Sequence, residues 1–143
     1  MSELESILIT PLKIIPVAGG DVMHAMKDTD TGFNGYGEVY FSSVDFRAIK
    51  AWKMHLKMTM NIVVPTGLVN FVFFSEDLQS LRLERIGKGR YQRITIPPRV
   101  WFGFQGASQD QNLILNIANI QHDPLEVLRK DVGDIKFNWK DLL

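Results

Sequence analysis

The sequence predicts an all-β protein whose strands close into a barrel or a sandwich. Three observations carry that expectation. Short runs rich in Val, Ile, Thr, Tyr and Phe recur along the 143 residues. Turn residues punctuate them, at Gly19-Gly20, Thr66-Gly67, Gly87-Lys88-Gly89 and Pro97-Pro98. Only one stretch, near the C-terminus, carries the signals that start a helix. Many short strands at such spacing favour a closed β architecture over alternating strands and helices.

Residues 12–17 are apolar and β-branched and stop at the first glycine pair. Residues 22–27 make a second short strand, followed by an Asp-, Thr-, Gly- and Asn-rich loop that runs to Gly37. Residues 38–46 alternate in part, and 49–54, 59–64, 68–74, 81–86, 90–96 and 112–117 follow as strands. Thr66-Gly67 separates two of the strongest runs and predicts a hairpin turn. Pro97-Pro98 ends the 90–96 strand because proline has no N–H for the ladder. Asp123 as N-cap and Pro124 at the first helical position predict one short C-terminal helix ending near Gly133. Its Leu125, Leu128 and Val132 would cover an open end of the barrel.

Composition narrows the function. Sixteen basic residues balance sixteen acidic ones, so the excess of Lys and Arg on which nucleic-acid affinity rests is missing. The absence of cysteine excludes disulfides, thiolate metal sites and a cysteine nucleophile, and suits a reducing compartment. The opening segment carries two glutamates and no basic residue before its apolar stretch, unlike a secretory signal. The longest apolar run falls short of the ~20 residues that span a bilayer. The expectation is a cytoplasmic protein with neither nucleic-acid nor membrane partner, residues 1–143 forming a single domain. No phosphate-loop, dinucleotide or serine-elbow motif occurs.

Two spacings carry more. Lys53, His55, Met60 and Gly67 fall on the H, H, E and final G positions of the pattern G-x5-H-x-H-x3/4-E-x6-G, with the spacing unbroken. Pro97, Arg99 and Phe102 fall on P-x-G-x-x-H. These are the two motifs of the cupins, and the chain resembles that family in spacing and strand–turn–strand context. Of the four metal-ligand positions only His55 keeps a ligand. One histidine cannot supply the three or four donors a Zn, Mn or Fe site requires, so no bound metal is expected.

Within the cupins the chain looks most like relatives of the dTDP-4-dehydrorhamnose 3,5-epimerases, from about residue 37 to 139. The resemblance rests on GEVYFSSVDFRAIKAWKMHLKMTMNIVVPTGLVNFVFF, ITIPPRVWFGFQG, LILNIANIQHDP and the closing DIKFNW. It implies a double-stranded β-helix, the cupin jelly-roll barrel. It also implies a homodimer with a nucleotide-linked keto-deoxysugar in the barrel mouth and no cofactor. In that family a histidine removes the proton beside the ketone and a tyrosine returns one to the opposite face. Basic side chains hold the enolate oxygen and the diphosphate. On the family's pattern Lys50 stands for an arginine, Lys53 for the base histidine, Lys57 for the lysine opening the next strand and Phe102 for a histidine. The tyrosine position falls near Leu115. Two function classes follow. One is a metal-independent epimerase or isomerase acting on a nucleotide-linked keto-deoxysugar in polysaccharide biosynthesis. The other is a non-catalytic cupin that binds a sugar nucleotide or a protein partner.

Strand alternation puts Lys53 and His55 on one face, and the cupin motif turns that face inward. A buried lysine loses charge stability, so its neutral amine can serve as a base or attack a ketone. The alternatives are a lysine that snorkels to the mouth or one that points outward because the strand register bulges. His55 suits proton transfer near neutrality, or serves structure alone. Lys57 and Arg99 either hold an anion or face solvent. His24 lies near the mouth or on the surface. Asn61 and Asn116 line a polar pocket or satisfy backbone groups. Tyr40 offers a hydroxyl or only packing. Trp52, with Trp101, Phe102 and Phe104, either stacks on a ligand ring or packs the core. His122-Asp123 is accounted for by helix capping through Asp123.

Overall fold

A strand that is apolar on both faces must be covered on both sides, and residues 68–75 form such a strand. In the computed structural model, which describes residues 3–143, two five-stranded antiparallel sheets pack face to face. The first runs in the order Leu8–Pro11 (β1), Gln92–Ile96 (β9), Met60–Thr66 (β6), Leu113–Ala118 (β11) and Glu38–Ser43 (β4). The second runs Val127–Arg129 (β12), Ile49–His55 (β5), Val100–Gly106 (β10), Leu68–Ser75 (β7) and Leu81–Gly87 (β8). A small hairpin pairs Ile14–Ile15 (β2) with Val22–Met23 (β3). This is the all-β jelly roll of the cupins.

Two cores follow from the alternation. Ile62, Val64, Phe71, Phe73, Ile94 and Ile114 are buried between the sheets. The other face of the second sheet carries Trp52, Met54, Val72 and Trp101, covered by Ile135 and Trp139 of the C-terminal tail. The indole of Trp52 lies 5.4 Å from that of Trp139, and its N–H donates to the Val132 carbonyl at 3.1 Å. The tail thus leaves the inner face of β5 to the cavity.

Several expectations need correction. Thr66-Gly67 is not a hairpin turn, because β6 belongs to the first sheet and β7 to the second. The step is a corner at which the chain changes sheet. Gly67 has φ 88°, and a Cβ there would lie 2.2 Å from the Gln111 carbonyl oxygen. Conformation and space both demand glycine. The stretch expected as one C-terminal helix holds instead two separate 3-10 turns, Pro124–Glu126 and Val132–Asp134, the first capped by the Asp123 side chain, which accepts from the Leu125 N–H at 3.0 Å. Beyond the first, Val127, Leu128 and Arg129 pair with His55, Met54 and Lys53. The free edge of β5 offers ladder hydrogen bonds, and the expected apolar stripe fails, since Leu125 is 88% exposed while Glu126 is 2% exposed. The strands expected over 12–17 and 22–27 shrink to two residues each, and neither β1 nor β10 was anticipated. Among the described residues no helix is long and apolar enough to cross a membrane.

Candidate functional site

A cavity of about 520 Å³ opens between the two sheets, within the size range of small-ligand sites. Its walls differ. Tyr40, Ser42, Met60, Ile62, Ile114 and Asn116 come from the first sheet, whereas Lys50, Lys53, His55, Phe71, Phe102, Phe104 and Arg129 come from the second. All four cupin positions that ordinarily hold metal ligands, Lys53, His55, Met60 and Phe102, line this one space. Among the described residues no group of three or more His, Cys, Asp or Glu converges as a metal cluster would.

A β-bulge brings Lys50 into the site. Opposite β10, Lys53 faces Phe102, Ala51 faces Gly103 and Lys50 faces Phe104, so Trp52 is the extra residue. Phe102 and Phe104 share a face, two residues apart. The inserted residue lets Lys50 and Lys53, three apart, share that same face. Strict alternation would have put them on opposite sides. Lys50 Nζ is tied to the Ser43 carbonyl at 2.6 Å.

His55 is 6% exposed, and its Nδ1 lies 2.6 Å from Glu126 Oε2. The other carboxylate oxygen of Glu126 accepts the Met58 N–H at 2.8 Å and the Lys57 N–H at 3.4 Å. With backbone donors gathered on one oxygen, the carboxylate acts as the acceptor in this network. It therefore assigns the imidazole proton to Nδ1 and leaves Nε2 as the basic nitrogen. Burial pushes the His55 pKa below its ordinary value, against the opposing pull of Glu126. Burial therefore favours the neutral ring, which stacks near Phe102 at 6.1 Å between centroids. On the facing sheet, Asn116 is paired with Tyr40, and its Nδ2 donates to the Tyr40 hydroxyl oxygen at 2.8 Å. The hydroxyl hydrogen remains free to donate. Asn116 Oδ1 is buried with no protein partner.

Arg129, Lys130 and Asp131 of β12 and the residues after it complete the rim. The Lys130 ammonium lies 5.2 Å from the Trp101 ring centre. Lys130 thus turns to the outer face with Trp52, its ladder partner, and the basic side chains that border the mouth are Lys50, Lys53 and Arg129, a set that suits a polyanionic group.

The structure gathers Lys50, Lys53, His55, Tyr40 and Asn116 but not every expected residue. Trp52 borders the cavity, yet its ring is 1% exposed and packs beneath the tail, so it offers no stacking face. Arg99 is turned away. Its guanidinium pairs with Glu76 at 3.1 Å in solvent, and its contribution is a backbone N–H donated to the His55 carbonyl at 2.7 Å. It stands at the motif's glycine position with φ 65°, which explains glycine's use there. Lys57 is exposed and outside the cavity. His24 is also outside, its backbone held by the Lys13 carbonyl and the Tyr91 hydroxyl. Asn61 is structural, donating to the Gly32 carbonyl at 3.0 Å and accepting from Thr95 at 2.6 Å. Glu126 and Arg129 were missed. Glu126 lies 71 residues from His55 and was assigned to a helix, so no spacing linked the two.

No protein-family model and no curated protein matches the sequence. Solved structures do. A dTDP-sugar isomerase from Desulfovibrio desulfuricans is 32% identical, with a TM-score of 0.89 over 98% of this chain and 94% of that one. A sugar 3,4-ketoisomerase from Thermoanaerobacterium thermosaccharolyticum, solved with TDP, shares 17% identity and a TM-score of 0.76 over 92% and 93%. A dTDP-4-dehydrorhamnose 3,5-epimerase from Elizabethkingia anophelis shares 11% identity and a TM-score of 0.75 over 95% and 82%. The last two agree in fold. The first, near-complete and above 30% identity, places the sequence itself, and the chain belongs to the dTDP-sugar isomerase and epimerase family of cupins.

Proposed function

We propose that this protein is a cytoplasmic epimerase or isomerase of a nucleotide-linked 4-keto-6-deoxysugar, working without metal in polysaccharide biosynthesis. The observation that carries this reading is the buried His55–Glu126 pair, 2.6 Å apart, facing a cavity rimmed by cations. A hydrogen on the carbon beside a ketone is weakly acidic. Nε2 of His55 takes it, and Glu126 stabilises the imidazolium that forms. The positive charge of Lys50 and Arg129 favours the electron-rich intermediate, the role a metal would otherwise fill. Tyr40 stands on the facing sheet, so its hydroxyl can return a proton to the opposite side of the sugar. Arg129 at the rim suits the diphosphate. The names of the relatives support the substrate class.

The test is solvent deuterium exchange into a panel of nucleotide-linked 4-keto-6-deoxysugars, followed by mass spectrometry. Incorporation at the carbon beside the ketone is expected. Tight binding with no exchange would make the chain a binding protein, and no binding across the panel would end the sugar reading.

We also infer a homodimer. The reading is supported by β4, the last strand of its sheet, where Val39, Tyr40 and Phe41 are exposed. Such an edge invites pairing. Sedimentation as a monomer at micromolar concentration would refute it.

A further inference from the structure

We propose that Lys53 forms a Schiff base with the ketone of the substrate, so that His55 acts on an iminium ion rather than on a free ketone. The proposal rests on the enolisation chemistry above and refines it.

Three observations carry it. First, Lys53 lines the cavity and, among the described residues, its side chain makes no hydrogen bond or ion pair. Lys50 is engaged by Ser43 and Lys130 lies over Trp101. Lys53 is the lysine at this site left without an engagement. Second, its neighbours across the two ladders are Phe102 and Arg129, an apolar ring and a cation. Burial, then Arg129 and Lys50, push its pKa down. Crowding by like charge in a desolvated wall is how a lysine amine becomes a nucleophile near neutral pH. Third, His55 is two residues along the same face, about 6.6 Å from Lys53 along the strand. That spacing lets the amine hold the carbonyl carbon while the imidazole reaches the hydrogen on the next carbon.

The step balances. The neutral amine's lone pair forms a C–N bond, the carbonyl π pair moves to oxygen, and a nitrogen proton passes to that oxygen. The carbinolamine takes up one proton and its C–O bond breaks, releasing water and leaving the protonated imine. His55 then removes the adjacent C–H proton. The C–H pair becomes the enamine double bond, and the C=N π pair settles on nitrogen. Reprotonation restores the iminium, and the water released earlier hydrolyses it. No oxidant, reductant or co-reactant is consumed.

The experiment treats the full chain with TDP-4-keto-6-deoxyglucose and sodium cyanoborohydride, which reduces iminium ions in preference to ketones. The expected result is a covalent adduct on the peptide containing Lys53, heavier by the substrate less its ketone oxygen, with activity lost in parallel. K53R keeps the charge and lacks the nucleophile. It is expected to fold with an unchanged circular dichroism spectrum, to take no label and to lose at least about 100-fold in turnover. Two results overturn the proposal: deuterium exchange by the unmodified protein with no adduct, or K53R turning over within tenfold of it. The first leaves proton abstraction by His55 standing. An adduct without exchange keeps the Schiff base and removes that role from His55. Neither adduct nor exchange removes both.

Discussion

Replacing Glu126 by glutamine changes one oxygen for one nitrogen and leaves the volume almost untouched, so its effects can be traced through hydrogen bonds. The carboxylate now accepts three N–H groups, from His55 Nδ1 on one oxygen and from Met58 and Lys57 on the other. Glutamine offers one acceptor and one NH2. The backbone N–H of Met58 cannot change its character, but the imidazole can. The amide oxygen therefore stays with Met58, and the NH2 points at Nδ1 as a donor. To meet it, the imidazole must move its proton to Nε2. The nitrogen that should accept a substrate proton then already carries one. Loss of a positioned general base slows such reactions by about 10²–10⁴-fold. The fold loses only the charge assistance of the bonds, on the order of 1 kcal/mol. E126A would instead strand buried donors and cost about 2–5 kcal/mol. The assay is deuterium exchange into a nucleotide-linked 4-keto-6-deoxysugar, with the tautomer read by nitrogen NMR of the His55 ring and stability by thermal melting. E126Q is expected to melt near the unmodified protein, to carry its ring proton on Nε2 and to exchange at least 100-fold more slowly. Exchange within about threefold of the unmodified protein would refute the assignment of the base.

Other outcomes follow from the same geometry. The kcat/KM should fall on the acid side with a midpoint below His55's ordinary value of ~6.5, because only the neutral ring accepts a proton and burial favours it; an acid limb centred above pH 7 would contradict this. The linked stability has the same sign: the unfolded ring takes up its proton first, so the contribution is whole above ~6.5 and is lost as pH falls through the folded pKa, which urea midpoints at a series of pH values would show. Y40F should slow formation of an epimerised product by about 100-fold while deuterium exchange falls less than tenfold, if Tyr40 donates from the facing wall; parallel losses would remove that role. R99A should change turnover less than about threefold, since the guanidinium pairs with Glu76 in solvent and the N–H to His55 survives the substitution; a drop of tenfold or more in steady-state kinetics would place the guanidinium at the site.

Alternation, β-branched content and turn residues were local signals, and they marked most of the strands and the all-β class, but not β10 at the centre of the second sheet, whose Gly103 and Gly106 read as punctuation. Motif spacing was likewise local. It set Lys53 and His55 two apart on one strand, and both do line one cavity. Local signals failed where a distant partner outbid them. The stretch after Asp123 has a correct cap and a correct proline, yet the exposed edge of β5 draws residues 127–129 into a ladder after one turn. Thr66-Gly67 has turn chemistry whether the chain folds back or crosses to another sheet, so composition could not choose between the two.

What the linear order of residues settled, then, is local: the all-β class, most of the strands, and the spacing that sets Lys53 and His55 on one face. Which side chains meet across the barrel was settled by folding. The pairing of His55 with Glu126, the bulge that turns Lys50 inward and the approach of Tyr40 to Asn116 join positions from different strands. Their contact depends on register and sheet packing, quantities defined between segments and carried by no single one of them.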